Sequence, residues 1–126
     1  MFVGILRLTL HLPAPGSLKS KRHLLRSALD RVRARFNVAA AEVDENDLWQ
    51  RSVVGVVAVS NDSAFVNEVL DKVTDFIAGV HGGQLLVTDR QMEIVPFGEG
   101  LGQGWRTLAE AEEAGDAGKG EEDDGP

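Results

Sequence analysis

The sequence contains no cysteine and no apolar run long enough to cross a bilayer. Without cysteine there are no disulfides, no thiolate nucleophile and no cysteine-ligated zinc. A transmembrane helix needs about 20 consecutive apolar residues, and the apolar runs here are short valine-rich and leucine-rich segments. Arg7 interrupts the apolar start and no small-residue cleavage site follows it, so we expect no signal peptide and a cytoplasmic location.

A recognisable catalytic or metal-binding constellation is also missing. The three histidines match no metal-ligand spacing; they are His11, His23 and His81. Four acids between Glu42 and Asp47 lack the glycine and the terminal bidentate acid of a calcium loop, which favours a solvated turn. The sequence therefore predicts a protein that is not an enzyme and that holds no metal or cofactor.

Charge is distributed unevenly along the 126 residues. The formal net charge is -7, yet residues 1–108 carry 12 basic and 12 acidic side chains, whereas residues 109–126 carry eight acids and one lysine. Residues 17–36 contain seven basic side chains and a single acid, Asp30. An acidic chain can therefore still bind an anionic partner through this basic segment.

Hydrophobic periodicity predicts six elements. Residues 2–12 alternate as a strand, and 37–43, rich in small alanines, is interpreted as a short edge strand. Residues 51–60 are apolar on both faces, as in a central strand, and 85–97 forms a last strand that residues 89–91 could break. Apolar residues at helical spacing predict a helix capped by Ser17 and ending near Phe36, and a second helix capped by Asn61 or Asp62 and ending at Gly79. The order βαββαβ predicts an α+β, ferredoxin-like two-layer sandwich with an antiparallel four-stranded sheet.

This fold has consequences for the rest of the chain. We predict a domain over residues 1–97, followed at 98–126 by a glycine-rich linker and an acidic, disordered tail that mimics RNA phosphates.

Two helices cover only one side of such a sheet, and the second face, with Val3, Ile5 and part of 53–59, is apolar. This exposed apolar face predicts a homo-oligomer. Trp49 is interpreted as a core or interface anchor, or alternatively as a binding hot spot.

The first helix carries the candidate binding site. It opens with Ser17-Leu18-Lys19-Ser20-Lys21-Arg22, whose cations oppose the positive end of the helix dipole. At about 100° per residue, one sector of roughly 60° beside the buried stripe collects four basic side chains. They are Lys19, Arg22, Arg26 and Arg33. Such a row could contact several RNA phosphates, or it could be an ordinary solvated helix face.

Lys21 differs from its basic neighbours because the helical wheel places it inside the apolar sector. A cation there must extend to solvent or pair with an acid. We predict a structural ion pair between Lys21 and Glu42, with a ligand contact as the alternative.

The chain resembles the YlxP-like family of small bacterial proteins, which are grouped as a domain of unknown function. The resemblance covers residues 1–97 and is carried by the leucine-rich first strand and by four further segments. These are Ser17 to Arg22, Phe36-Asn37-Val38, Ala41-Glu42-Val43, and Trp49 before the valine-rich strand. It implies a ferredoxin-like fold, and family members are often encoded beside translation initiation factor two and ribosome-binding factor A, which implies work on RNA or the ribosome.

Two functional hypotheses follow. The first is a non-enzymatic RNA- or ribosome-associated protein that binds through the basic helix, because the third strand lacks the aromatic residues on which an RNA-recognition module stacks bases. The second is an oligomeric small-ligand-binding regulatory module with an anion site at the helix start, Gly16-Ser17, where backbone amides are exposed.

Overall fold

The structure, a computed structural model, describes residues 1–13, 16–45, 48 and 50–98. Its elements are β1 (Phe2–His11), α1 (Leu18–Arg35), β2 (Ala39–Asp44), β3 (Arg51–Ser60), α2 (Ser63–Gly79) and β4 (Leu86–Pro96). Phe2–Val95 forms one compact unit, and Met1 and residues 96–98 belong to a second. Within that second unit the Phe97 amide donates to the Met1 carbonyl at 2.7 Å. Neither described helix has the length and apolar character that a membrane crossing requires.

The four strands form one sheet in the order β2-β3-β1-β4. β3 pairs antiparallel with both β1 and β2, and the element order is βαββαβ. The predicted α+β, ferredoxin-like arrangement is therefore confirmed, including the central position of the first and third strands. These two strands were identified by their apolar residues on both faces, which are typical of the centre of a sheet.

Two element boundaries differ from the sequence expectation. β2 begins at Ala39 rather than at residue 37, because the Phe36 amide still bonds to the Val32 carbonyl and Val38 turns back onto Phe36. β4 runs without a break through its polar centre. There the Thr88 hydroxyl donates to a carbonyl of β1 at 3.2 Å, and Arg90 pairs with Asp71 of α2.

Hydrogen bonds at the helix starts explain where both helices begin. The Ser17 side chain accepts from the Ser20 amide at 3.1 Å, so Ser17 is the N-cap of α1 as predicted. At α2 the cap is Asp62, whose carboxylate accepts from the amides of Ala64 and Phe65. These acceptors satisfy amides that the first helical turn leaves without an intrahelical partner.

The hydrophobic core lies between the sheet and the two helices. Alternate residues of β1 point into it, and Leu6, Leu8 and Leu10 are buried there. Gly4 occupies the same face opposite α2, where an added Cβ would lie 2.7 Å from Leu70 Cδ1. The close approach of α2 to β1 therefore requires the absence of a side chain at residue 4.

The opposite face of the sheet, which we call the open face, exposes several aliphatic side chains, although Val53 on the same face is buried. Ile5 is 43% exposed, Val57 37% and Val59 57%, which is high for aliphatic residues on central strands. A shallow depression of about 430 Å³ lies among Ile5, Val57 and the alanines of β2. At its rim Arg7 lies 3.8 Å from Asp44, a distance typical of a loose, solvated pair.

Candidate nucleic-acid interface

Four basic side chains along α1, which we call the basic ribbon, are exposed: Lys19, Arg22, Arg26 and Arg33. They lie beside the buried stripe of α1, as the helical wheel indicates. Within the described chain, Lys19, Arg22 and Arg26 have no carboxylate or hydrogen-bond partner for their side-chain nitrogens. Three members of the ribbon thus present their full charge to solvent.

Arg33 is the exception in the basic ribbon because its guanidinium forms hydrogen bonds within the protein. Its Nε and Nη2 donate to the Ala40 carbonyl at 3.2 and 2.7 Å, and its Nη1 lies 2.9 Å from the Asp30 carboxylate. These bonds attach the C-terminal half of α1 to the edge strand β2. Arg33 therefore has fewer donors left for an external anion than Arg22 or Arg26.

Lys21 is fully buried and faces the β2–β3 connection. Its Nζ donates to the Glu45 carbonyl at 2.7 Å and to the Leu48 carbonyl, and it lies 3.1 Å from Glu42 Oε2. The structure therefore contains the predicted ion pair with Glu42. The ammonium also explains the backbone of Glu45, whose φ of 58° is unusual for a residue other than glycine and accompanies a carbonyl that accepts from Lys21.

Glu42 has a second partner that the sequence analysis missed. The Ser52 hydroxyl donates to Glu42 Oε2 at 2.6 Å, the same oxygen that Lys21 approaches. Ser52 is fully buried. The sequence signal for this bond was a serine at the second position of an otherwise valine-rich strand, since a buried hydroxyl needs a hydrogen-bond partner.

A small cavity of about 230 Å³ lies between α1 and β2. Its apolar part is formed by Leu25 and Leu29, and the polar lining consists of Glu42 and the arginines of the basic ribbon, Arg22, Arg26 and Arg33. The wheel predicted that the arginines share one side of the helix. It contained no information on the distance to Glu42, because that depends on how α1 packs against β2.

At the N-terminus of α1, the alternative anion site, the helix caps one of its first-turn amides with its own side chain. The Ser17 side chain accepts from Ser20 and its carbonyl accepts from the Lys21 amide at 3.0 Å. Gly16 has a φ of 84°, which allows the turn into the helix. The regulatory-module hypothesis stays a prediction.

The remaining candidate residues form no site in the part of the chain that the structure describes. There, no three histidine, aspartate or glutamate side chains come close enough together to hold a metal ion. Asp44 lies near Arg7 and Glu45 pairs with Arg51, so these acids act in local ion pairs. Asp47, Trp49 and the acidic tail from residue 99 lie outside the described residues.

The fold and the ribbon together define a class: a small ferredoxin-like α+β domain with a basic first helix. Residues 3–90 match the family described as "Protein of unknown function (DUF503)", and the chain belongs to this family. It is also 42% identical over 62 residues to "Uncharacterized protein YlxP" of Bacillus subtilis (strain 168), a match that covers 49% of this chain and 67% of that protein. The resemblance to the YlxP-like family is thereby confirmed.

Two solved structures show similarity at low identity. One is a C-terminal segment of the alpha subunit of aIF2 from Pyrococcus abyssi, with 18% identity and a TM-score of 0.45 over 78% of this chain. This chain spans 52% of that segment, about half its length. The other is SnoaB, a cofactor-independent oxygenase from Streptomyces nogalater, with 11% identity and a TM-score of 0.40, covering 78% of this chain and 93% of that one. Similarity at this level carries no information on the function of this chain.

Proposed function

We propose that this protein is a non-enzymatic RNA-binding protein, acting on free RNA or on a ribosomal RNA surface, and that α1 supplies the contact. The observation that carries the proposal is the set of exposed, partnerless cations Lys19, Arg22 and Arg26 on one side of α1. A row of exposed cations suits an anionic polymer, since each can meet one phosphate.

The distribution of ion pairs supports this proposal. Every described lysine and arginine outside α1 has a carboxylate partner: Arg7 with Asp44, Arg51 with Glu45, Lys72 with Glu68, and Arg90 with Asp71. On α1 the basic ribbon keeps three cations without one. The protein is acidic as a whole. The described lysines and arginines that lack a carboxylate partner nevertheless all lie on one helix, α1.

Arginine dominates the ribbon, and this also suits RNA. A guanidinium can donate two parallel hydrogen bonds to a phosphate, and its plane can stack on an exposed base. Arg22 and Arg26 are one helical turn apart, about 6 Å along the axis, so both can engage one strand. The open face is a poorer candidate because β3 offers no aromatic side chain for base stacking.

The proposal is tested by removing two charges from the ribbon. In Arg22→Gln/Arg26→Gln we expect weaker binding to a single-stranded RNA, measured by fluorescence anisotropy over a series of salt concentrations. The slope of log affinity against log salt should fall by about 1.4, because each lost phosphate contact on a single strand contributes about 0.7. The matched control, Arg31→Gln/Lys72→Gln, removes the same net charge outside the ribbon.

The control decides between a site and a general charge effect. If both double variants lose the same affinity, or if the parent protein does not bind RNA at physiological salt, the proposal is wrong. Circular dichroism of each variant checks that the fold is retained.

A further inference from the structure

We infer that the cavity between α1 and β2 receives one unpaired nucleobase of a single-stranded RNA, and that Glu42 selects bases that carry an exocyclic amino group. This inference rests on the proposed RNA-binding function and names its substrate class. The cavity combines an apolar floor, a guanidinium rim and one carboxylate oxygen without a partner in the described chain.

The size and the floor of the cavity suit a single ring. Its volume of about 230 Å³ is below the range of roughly 300–1,000 Å³ that accommodates whole small-molecule ligands. Leu25 and Leu29 are both buried core residues and give the cavity an apolar surface. A phosphate would lose its hydration against this surface, whereas the flat face of a base would gain contact.

The rim of the cavity suits the rest of the nucleotide. Arg22 and Arg26 border the cavity and are exposed, with no partner in the described chain. Their guanidinium planes can stack on the inserted base or bind the flanking phosphates. The base would therefore enter the cavity while the backbone follows the exposed side of α1.

Glu42 supplies the selective group. Its Oε2 accepts from Ser52 and pairs with Lys21, which fixes the carboxylate, whereas no described residue donates to Oε1. The Glu42 side chain is 20% exposed and lines the cavity, so Oε1 is the carboxylate oxygen left for a bound base. An ionised carboxylate only accepts hydrogen bonds, and cytosine, adenine and guanine each offer an amino group.

Uracil is the base that this oxygen disfavours. It presents a carbonyl where cytosine presents its amino group, and its N3–H lies between two carbonyl oxygens that a carboxylate repels. A base within a duplex is disfavoured as well, because it is stacked and its edge is already paired. The cavity therefore predicts a preference for single strands and, among them, for oligocytidine over oligouridine.

The test compares oligocytidine, oligouridine and an RNA duplex of equal length by fluorescence anisotropy. We expect the parent protein to bind oligocytidine about tenfold more tightly than oligouridine, and the duplex more weakly than oligocytidine. In Glu42→Gln the amide oxygen can replace Oε2 beside Lys21 and Ser52, so that the NH₂ group replaces Oε1. A donor then faces the cavity, and the preference should shift toward oligouridine.

The control variant is Glu45→Gln, which changes an acid near the same lysine outside the cavity lining. Its base preference should equal that of the parent. If the parent binds both oligomers equally and Arg22→Gln/Arg26→Gln weakens both, the cavity inference is wrong while the proposed function stands. If the parent binds no RNA, the proposed function fails as well.

A second measurement needs no variant and covers the case in which Glu42→Gln does not fold. Cytidine monophosphate, titrated to millimolar concentration, should shift the amide NMR resonances of Leu25 and Leu29, and uridine monophosphate should shift them less. Equal shifts from both nucleotides, or none from either, overturn the inference.

Discussion

Lys21 shows that neighbouring basic residues of one helix can have different roles. It stands among exposed basic residues, yet its ammonium is buried and joins α1 to the carbonyls of Glu45 and Leu48 and to the Glu42 carboxylate. Removing one partner of such a pair leaves the other charge without compensation. The charge at residue 21 therefore contributes to the fold, whereas the charge at residue 19 remains available for binding.

We predict that Lys21→Met strongly lowers the free energy of unfolding. Breaking a buried ion pair costs about 3–5 kcal/mol, and the partial exposure of Glu42 should keep the loss near the lower end of that range. Urea unfolding followed by circular dichroism measures it. The control Lys19→Met removes an exposed lysine of the same helix and should not lower the midpoint. Equal midpoints for the two variants would show that Lys21 has no structural role.

At the scale of elements, side-chain hydrogen bonds hold α1 and β2 together. Arg33 donates two hydrogen bonds to the Ala40 carbonyl, and Lys21 reaches the loop that follows β2. β2 is an edge strand with β3 as its single neighbour in the sheet, so its position depends partly on these bonds from the helix. The cavity beside it exists only while α1 and β2 keep this arrangement.

We predict that Arg33→Gln loosens β2 and has only a small effect on RNA binding, because Arg33 bonds mainly within the protein. Amide hydrogen exchange in β2 should accelerate, because the variant loses the guanidinium bonds to Ala40. RNA affinity should fall less than in Arg22→Gln, whose parent side chain has no partner in the described chain. Unchanged exchange in β2, together with a loss of affinity equal to that of Arg22→Gln, would show that Arg33 is a binding residue rather than a structural one.

The elements could be predicted from the sequence because each follows a local pattern. α1 follows from a Ser17 cap and helical spacing, and β3 was placed at its observed bounds because apolar residues without alternation indicate a central strand. The cavity could not be predicted, since it depends on the distance between α1 and β2. The bonds of Arg33 and Ser52 were missed for the same reason: their partners are tertiary neighbours.

At the scale of the whole molecule, the two sides of the sheet have different properties. The helix side carries the basic ribbon, and the open face is apolar, with Ile5, Val57 and Val59 exposed. An RNA-binding surface on α1 leaves the open face available for another contact. A symmetric dimer brings a patch against the same patch of a second copy, so each copy would offer the other an equally apolar surface.

We therefore expect two copies of this chain to associate through their open faces. Val57→Lys should shift the protein toward the monomer in sedimentation equilibrium, because a buried lysine at the centre of the contact would lack a partner. The control Phe65→Lys replaces another exposed apolar residue, located on α2 away from the open face, and should leave the assembly unchanged. A parent protein that is monomeric at high micromolar concentration, or a Val57→Lys variant that associates as the parent does, would show that the open face does not join two copies.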